Sequence, residues 1–149
     1  MNAKPAIGKN GTREQSMNGK AYQVISSWDG DVLKIDMTGS ITGPSILEDG
    51  QEMTRMTNAL LDEHKPAKVL IDVRGLIGRF SIVDSWYHLN EYEPSQHIPH
   101  RLAVVDNPEN REYFTFAETA GRNAGLQARY FEDIDSAKRW LSETANQST

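Results

Sequence analysis

The 149-residue chain is 38% hydrophobic and 25% charged, which suits a single domain burying roughly two thirds of its unfolded surface. Its 16 Lys and Arg against 21 Asp and Glu give a formal net charge of -5, so no overall positive field exists to hold a nucleic-acid backbone. Without cysteine there is no disulfide framework, thiolate metal site, thiol nucleophile or sulfur redox chemistry, and imidazole and carboxylate are the strong metal ligands left.

At the start of the chain Ile7 and Met17 stand among Asn, Gly, Lys, Thr and Gln, so ordering residues 1–19 returns little buried surface and a disordered tail is expected. No apolar signal-type region is present, and no stretch approaches the ~18 apolar residues of a membrane span, so a cytoplasmic location is expected. Residues 20–143 should form the single domain, and the polar residues 144–149 should fray.

Tyr22 to Ser26 reads as a β-prone run, and Asp29-Gly30 as a hairpin turn leading into a second strand. In that strand, Val32 to Thr38, Leu33, Ile35 and Met37 share one side and Lys34, Asp36 and Thr38 the other. Pro44, Ser45 and Glu48 predict a helix start with a Ser-x-x-Glu capping box, and Ile46, Met53, Met56, Leu60 and Leu61 continue its apolar stripe as far as His64. Lys68 to Val73 is a nearly continuous apolar run, the mark of a central strand covered on both faces. Ser81 with Asp84 predicts a second capped helix carrying Ile82, Val83, Trp86 and Leu89.

Leu102 to Val105 is another buried strand, followed at Asp106-Asn107-Pro108 by a third helix start, with Tyr113, Ala117, Ala120 and Ala124 on one side. Leu126, Ala128 and Tyr130 alternate in a last strand, and Asp133 caps a final helix with Ile134, Ala137, Trp140 and Leu141 inward. The order ββαβαβαβα calls for an α/β fold, a mostly parallel sheet with an antiparallel first strand. The expected sheet core is Leu33, Ile35, Val69, Leu70, Ile71, Leu102, Val104 and Ala128.

That order, together with Gly39-Ser40-Ile41-Thr42, the strands Val69–Val73 and Arg101–Val105, and the ending Arg129–Asp133 followed by Ala137–Leu141, resembles the SpoIIAA-like family over Tyr22 to Leu141. The family shares the STAS fold with anti-sigma-factor antagonists. The resemblance implies a SpoIIAA/STAS-like β-α superhelix and a non-catalytic binding or regulatory role toward a protein partner or a small apolar or anionic ligand. A lipid-binding or transfer role is a variant, although no basic amphipathic helix supports membrane docking. Where anti-sigma-factor antagonists have an Asp-Ser-Ser/Thr-Gly-type phosphorylation motif, this chain has Arg79-Phe80-Ser81-Ile82-Val83, without the flanking acid and glycine.

The segment Arg74-Gly75-Leu76-Ile77-Gly78-Arg79-Phe80 reads as a loop at the C-terminal end of the central strand, where open α/β sheets usually bind ligands. Its apolar residues serve a pocket or partner surface, or fold down over the sheet's end. Ser81 reads as a helix cap, or as a phospho-acceptor with Arg74 and Arg79 as its partners. Tyr87 and His88 point away from the apolar stripe of the helix that Ser81 opens, and Tyr87 is the expected homodimer contact. The alternative from another class is a small hydrolase or metal-dependent enzyme using Asp72 with His88, His97 and His100, and Glu91 or Glu93 as a further ligand. The His97-Ile98-Pro99-His100 spacing does not match the i, i+4 pair of a zinc hydrolase, no Gly-x-Ser-x-Gly elbow is present, and no cofactor is implied.

Overall fold

Strict two-residue alternation makes β2 (Tyr22–Asp29) and β3 (Val32–Ser40) an antiparallel hairpin with Trp28 opposite Leu33 and Val24 opposite Met37. Gly30 turns between them at φ 62°, in the left-handed region that glycine enters without strain. The computed structural model describes residues 13–16, 21–42, 44–79, 97–112, 114, 118 and 127–143. Within them β1 (Arg13–Ser16), α1 (Ile46–His64), β4 (Lys68–Ile77), β5 (Arg101–Val105), a short 3₁₀ turn (Pro108–Asn110), β6 (Ala128–Phe131) and α2 (Ile134–Ser142) complete the element order. The six strands lie side by side in chain order, the first two pairings antiparallel and those of β3, β4, β5 and β6 parallel. Val69 pairs with Leu102, so the two apolar runs lie side by side.

β1 corrects the expectation of a disordered tail over Arg13–Ser16, which pairs with Gln23–Ser26. An antiparallel edge strand is held by backbone hydrogen bonds along its neighbour, so it forms without the apolar side chains whose absence argued against order. The helix expected from Ser81 lies outside the described residues, as does most of the helix expected after Pro108.

The core divides between the two faces of the sheet. On one, Met53, Met56, Leu60 and Leu61 of α1 pack on Val24, Leu33, Ile35, Val69 and Ile71. On the other, Ala137, Trp140 and Leu141 of α2 pack on Leu70, Ala103 and Val105. The run Val69-Leu70-Ile71 therefore has apolar cover on both sides, which is why it lacks a polar alternation. Val104 and Ala128, expected in the core, are only partly buried. Asp133 caps α2 by accepting the Ser136 N–H at 2.7 Å. Ser45 does not cap α1 as the box motif suggests; its hydroxyl donates to the Asp49 carboxylate at 3.1 Å instead. Among the described residues no helix is long and apolar enough to cross a membrane.

Candidate functional site

The C-terminal ends of β3, β4, β5 and β6 form one rim, since these strands are parallel. Among the described residues strand order follows chain order, with no reversal of winding to open a crevice there. What shapes the rim is a bulge. Asp36 pairs with Asp72, but Thr38 pairs with Gly75, so β4 carries one residue more than β3 across this step. The extra residue breaks the alternation, and Leu76 joins Val73 in the α1-side core. Ile77, which unbroken alternation from Val73 would have buried, is 66% exposed instead.

Residues 74–77 are therefore not the loop expected from sequence. They continue β4 beside Thr38–Ser40, and the Ile41 N–H donates to the Ile77 carbonyl at 2.9 Å. Two glycines encourage a loop reading, but the bulge absorbs the irregularity within the sheet. The chain turns at Gly78 (φ 91°), where an added Cβ would lie 2.1 Å from the Ile41 carbonyl oxygen.

That turn delivers Arg79 into the rim, where its guanidinium is engaged on every side. Nε and Nη2 donate to the two oxygens of Asp106 at 3.0 and 2.6 Å. Nη1 donates to the carbonyls of Leu76 and Gly78, both at 2.6 Å, and Nη2 to that of Val73 at 3.1 Å. These contacts use the full donor set of an arginine. Asp106 is 0% exposed and also accepts the Asn107 N–H at 2.7 Å. Tyr130 of β6 donates its hydroxyl to the Asp106 and Asn107 carbonyls at 3.2 and 3.1 Å, and Asn107 Nδ2 donates to the Arg74 carbonyl at 3.2 Å. Burial, with Glu132 and Asp106 nearby, pushes the Tyr130 phenol above its ordinary range. The rim is thus laced from β4 to β6.

Arg74 stands outside this clasp. Its Nε and Nη2 donate to Asp72 at 3.0 and 2.9 Å, and its backbone N–H adds a third bond at 3.1 Å. Burial opposes ionisation of Asp72, yet the bonds and charge of Arg74 outweigh it and hold the carboxyl below the usual aspartate range. Asp36, its partner in register, shifts the other way, because burial dominates over the nearby Lys34. Asp36 and Asp133 also act electrostatically on Arg74. With Asp72 paired and these two acids nearby, Arg74 is poorly placed to attract a free anion.

Of the residues singled out from sequence, Asp72, Arg74 and Ile77 share the rim and its flank, Leu76 is core, and Arg79 is an internal clasp. Phe80, Ser81, Tyr87 and His88 lie outside the described residues, as do Glu91 and Glu93. Asp72 and the histidines His97 and His100 are not brought together. The His97 Nε2 lies 2.5 Å from the Pro66 carbonyl, and the His100 N–H donates to that of Ala67 at 2.7 Å, both just before β4 begins. Asp72 is four residues into β4, roughly 13 Å further along the strand. Among the described residues no group of His, Asp and Glu is arranged to hold a metal ion. Asp106, Asn107 and Tyr130 were missed as rim residues. A lone acid after an apolar strand is their one local signal, and nothing local pairs it with an arginine 27 residues earlier.

No family model matches the chain, and no curated protein matches it. Among solved structures it is similar to an anti-sigma factor antagonist from Mycobacterium paratuberculosis, with a TM-score of 0.51 and 12% identity over 82% of this chain and 95% of that one. A DUF3478-family protein from Shewanella loihica, described as having a SpoIIAA-like fold, matches with a TM-score of 0.51 and 23% identity, over 85% of this chain and 98% of that one. The fold is SpoIIAA-like. At these identities the likeness is one of architecture: a hairpin leading into a parallel sheet, as expected from the sequence. In this SpoIIAA-like sheet the bulge in β4 and the Arg79 clasp are what give the rim its form.

Proposed function

We propose that the protein is a non-catalytic, SpoIIAA-like binding module that recognises a protein partner at the C-terminal rim of its sheet. The observation that carries this reading is Ile77. A branched apolar side chain stands 66% exposed on paired strand, beside Ser40 in register and with its carbonyl accepting the Ile41 N–H. The Asp72–Arg74 pair, three to five residues earlier on the same strand, supplies polar donors and acceptors toward the same end of the sheet. An apolar anchor on a rigid element, edged by polar groups, is the arrangement that protein interfaces favour, and its ordering entropy is already met in the free protein. The likeness to an anti-sigma factor antagonist supports a regulatory setting for such a contact.

Affinity capture from the source organism with quantitative mass spectrometry tests the proposal, using wild type, Ile77→Asp, Arg74→Glu and the distant control Lys138→Ala. A partner recovered in stoichiometric amount by wild type and the control, and lost with Ile77→Asp, is the expected result. Recovery that is indifferent to both rim substitutions refutes the site, provided circular dichroism shows the variants folded.

A further inference from the structure

At the opposite end of the sheet, Arg101 opens β5 with its side chain only 2% exposed. Its Nη1 donates to the Trp140 carbonyl at 2.5 Å in the last turn of α2, and its guanidinium carbon lies 5.0 Å from the centre of the Trp140 ring. The nearest carboxylate oxygen, on Glu143, is 3.7 Å away, an ion pair longer than a hydrogen bond. Nη2 is buried and, among the described residues, has no hydrogen-bond partner. A guanidinium left this incompletely satisfied in the interior is costly, and stands ready for a better acceptor.

A second arginine reaches the same ring. Arg129 of β6 faces Ala103 in register, which places it diagonally across from Arg101 on the α2 side of the sheet. Its guanidinium carbon lies 5.7 Å from the Trp140 ring centre and 5.3 Å from that of Phe131, and among the described residues it has no acid partner. Two guanidiniums thus lie against one indole, and among the described residues the one carboxylate paired with them is Glu143, whose side chain is 41% exposed and which follows the last residue of α2.

We infer that Arg101 and Arg129 form an anion site for a phosphate dianion, with Glu143 as the resident group it displaces. Two cations match two negative charges better than the one charge of Glu143, and tetrahedral oxygens can accept from the unpartnered Nη2 of Arg101 and from the Arg129 fork together. This site is separate from the rim and does not depend on the partner reading.

The test is titration of the full chain with inorganic phosphate at constant ionic strength, followed by calorimetry and by the thermal midpoint. Glu143→Gln and Arg129→Gln are the variants, both at exposed positions, so that the buried donor to α2 stays in place. Expected are saturable binding by wild type, affinity about tenfold or more weaker in Arg129→Gln, and tighter binding in Glu143→Gln, where the competing charge is gone. No saturable binding by wild type, or wild-type affinity in both variants, overturns the site. Glycerol phosphate run alongside identifies the source: equal affinity marks free phosphate as the ligand, and tighter binding marks a phosphate monoester.

Discussion

Removing the Arg79 side chain tests the clasp that holds the rim. Arg79→Ala leaves the Asp106 carboxylate, 0% exposed, without its cation, and takes donors from the carbonyls of Val73, Leu76 and Gly78. Breaking one side of a buried, hydrogen-bonded pair costs about 3–5 kcal/mol, far more than the 0–1 kcal/mol typical of a surface pair. For a domain of this size that corresponds to a fall in Tm of roughly 10–20 °C. Urea and thermal unfolding followed by circular dichroism measure it. Arg79→Met combined with Asp106→Leu removes both charges at similar volume and should recover part of the loss, the carbonyls remaining unpaired. A loss below about 1 kcal/mol for Arg79→Ala would show that the guanidinium behaves as a surface group, and the account of a rigid rim presenting Ile77 would fall with it.

Gly78→Ala should destabilise by more than about 2 kcal/mol, since it combines a left-handed φ of 91° with a Cβ placed 2.1 Å from the Ile41 carbonyl oxygen. Gly75→Ala, without that φ and meeting a side-chain methyl of Thr38 at 3.1 Å rather than a backbone carbonyl at 2.1 Å, should lose clearly less in the same urea melts. The two register-paired aspartates should respond to pH with opposite signs. Asp72 has a depressed folded pKa, so its stabilising contribution is present above the unfolded value near 4 and is lost as pH falls through the folded value; Asp72→Asn should destabilise at pH ~7. Asp36 has a raised folded pKa, so its ionised form opposes folding at neutral pH and that penalty lapses on acidification; Asp36→Asn should stabilise at pH ~7 and have little effect below about pH 4. Chemical denaturation at the two pH values checks both, and the same sign for the two variants at neutral pH would contradict the assignment.

Much of the scaffold was legible because its causes are local. The alternation of Leu33, Ile35 and Met37, the doubly apolar run of Val69 to Ile71, and the Asp133 cap each depend on neighbours within a few residues. β1 was not legible, because an edge strand draws on the hydrogen-bonding groups of β2 and asks little of its own side chains. The capping box at Ser45 was misleading, because the hydroxyl donates its hydrogen bond to Asp49, one turn along. At the candidate site, sequence picked out Asp72, Arg74, Ile77 and Arg79 but not what distinguishes them.

By itself the sequence determined an α/β sheet in which the two apolar runs around Val69 and Leu102 are buried strands, through hydrophobic periodicity and turn chemistry that act over one element at a time. Only the tertiary structure decided that Leu76 is core and Ile77 surface, because one extra residue in β4 against β3 reverses which side chains face α1. It also decided that Arg79 closes on Asp106 while Arg101 keeps an unsatisfied amino group beside Trp140. The composition of the chain is the same for two such arginines. What separates them is which carboxylate and carbonyl groups, distant in sequence, the packed sheet brings within hydrogen-bonding reach, and burial makes that difference large.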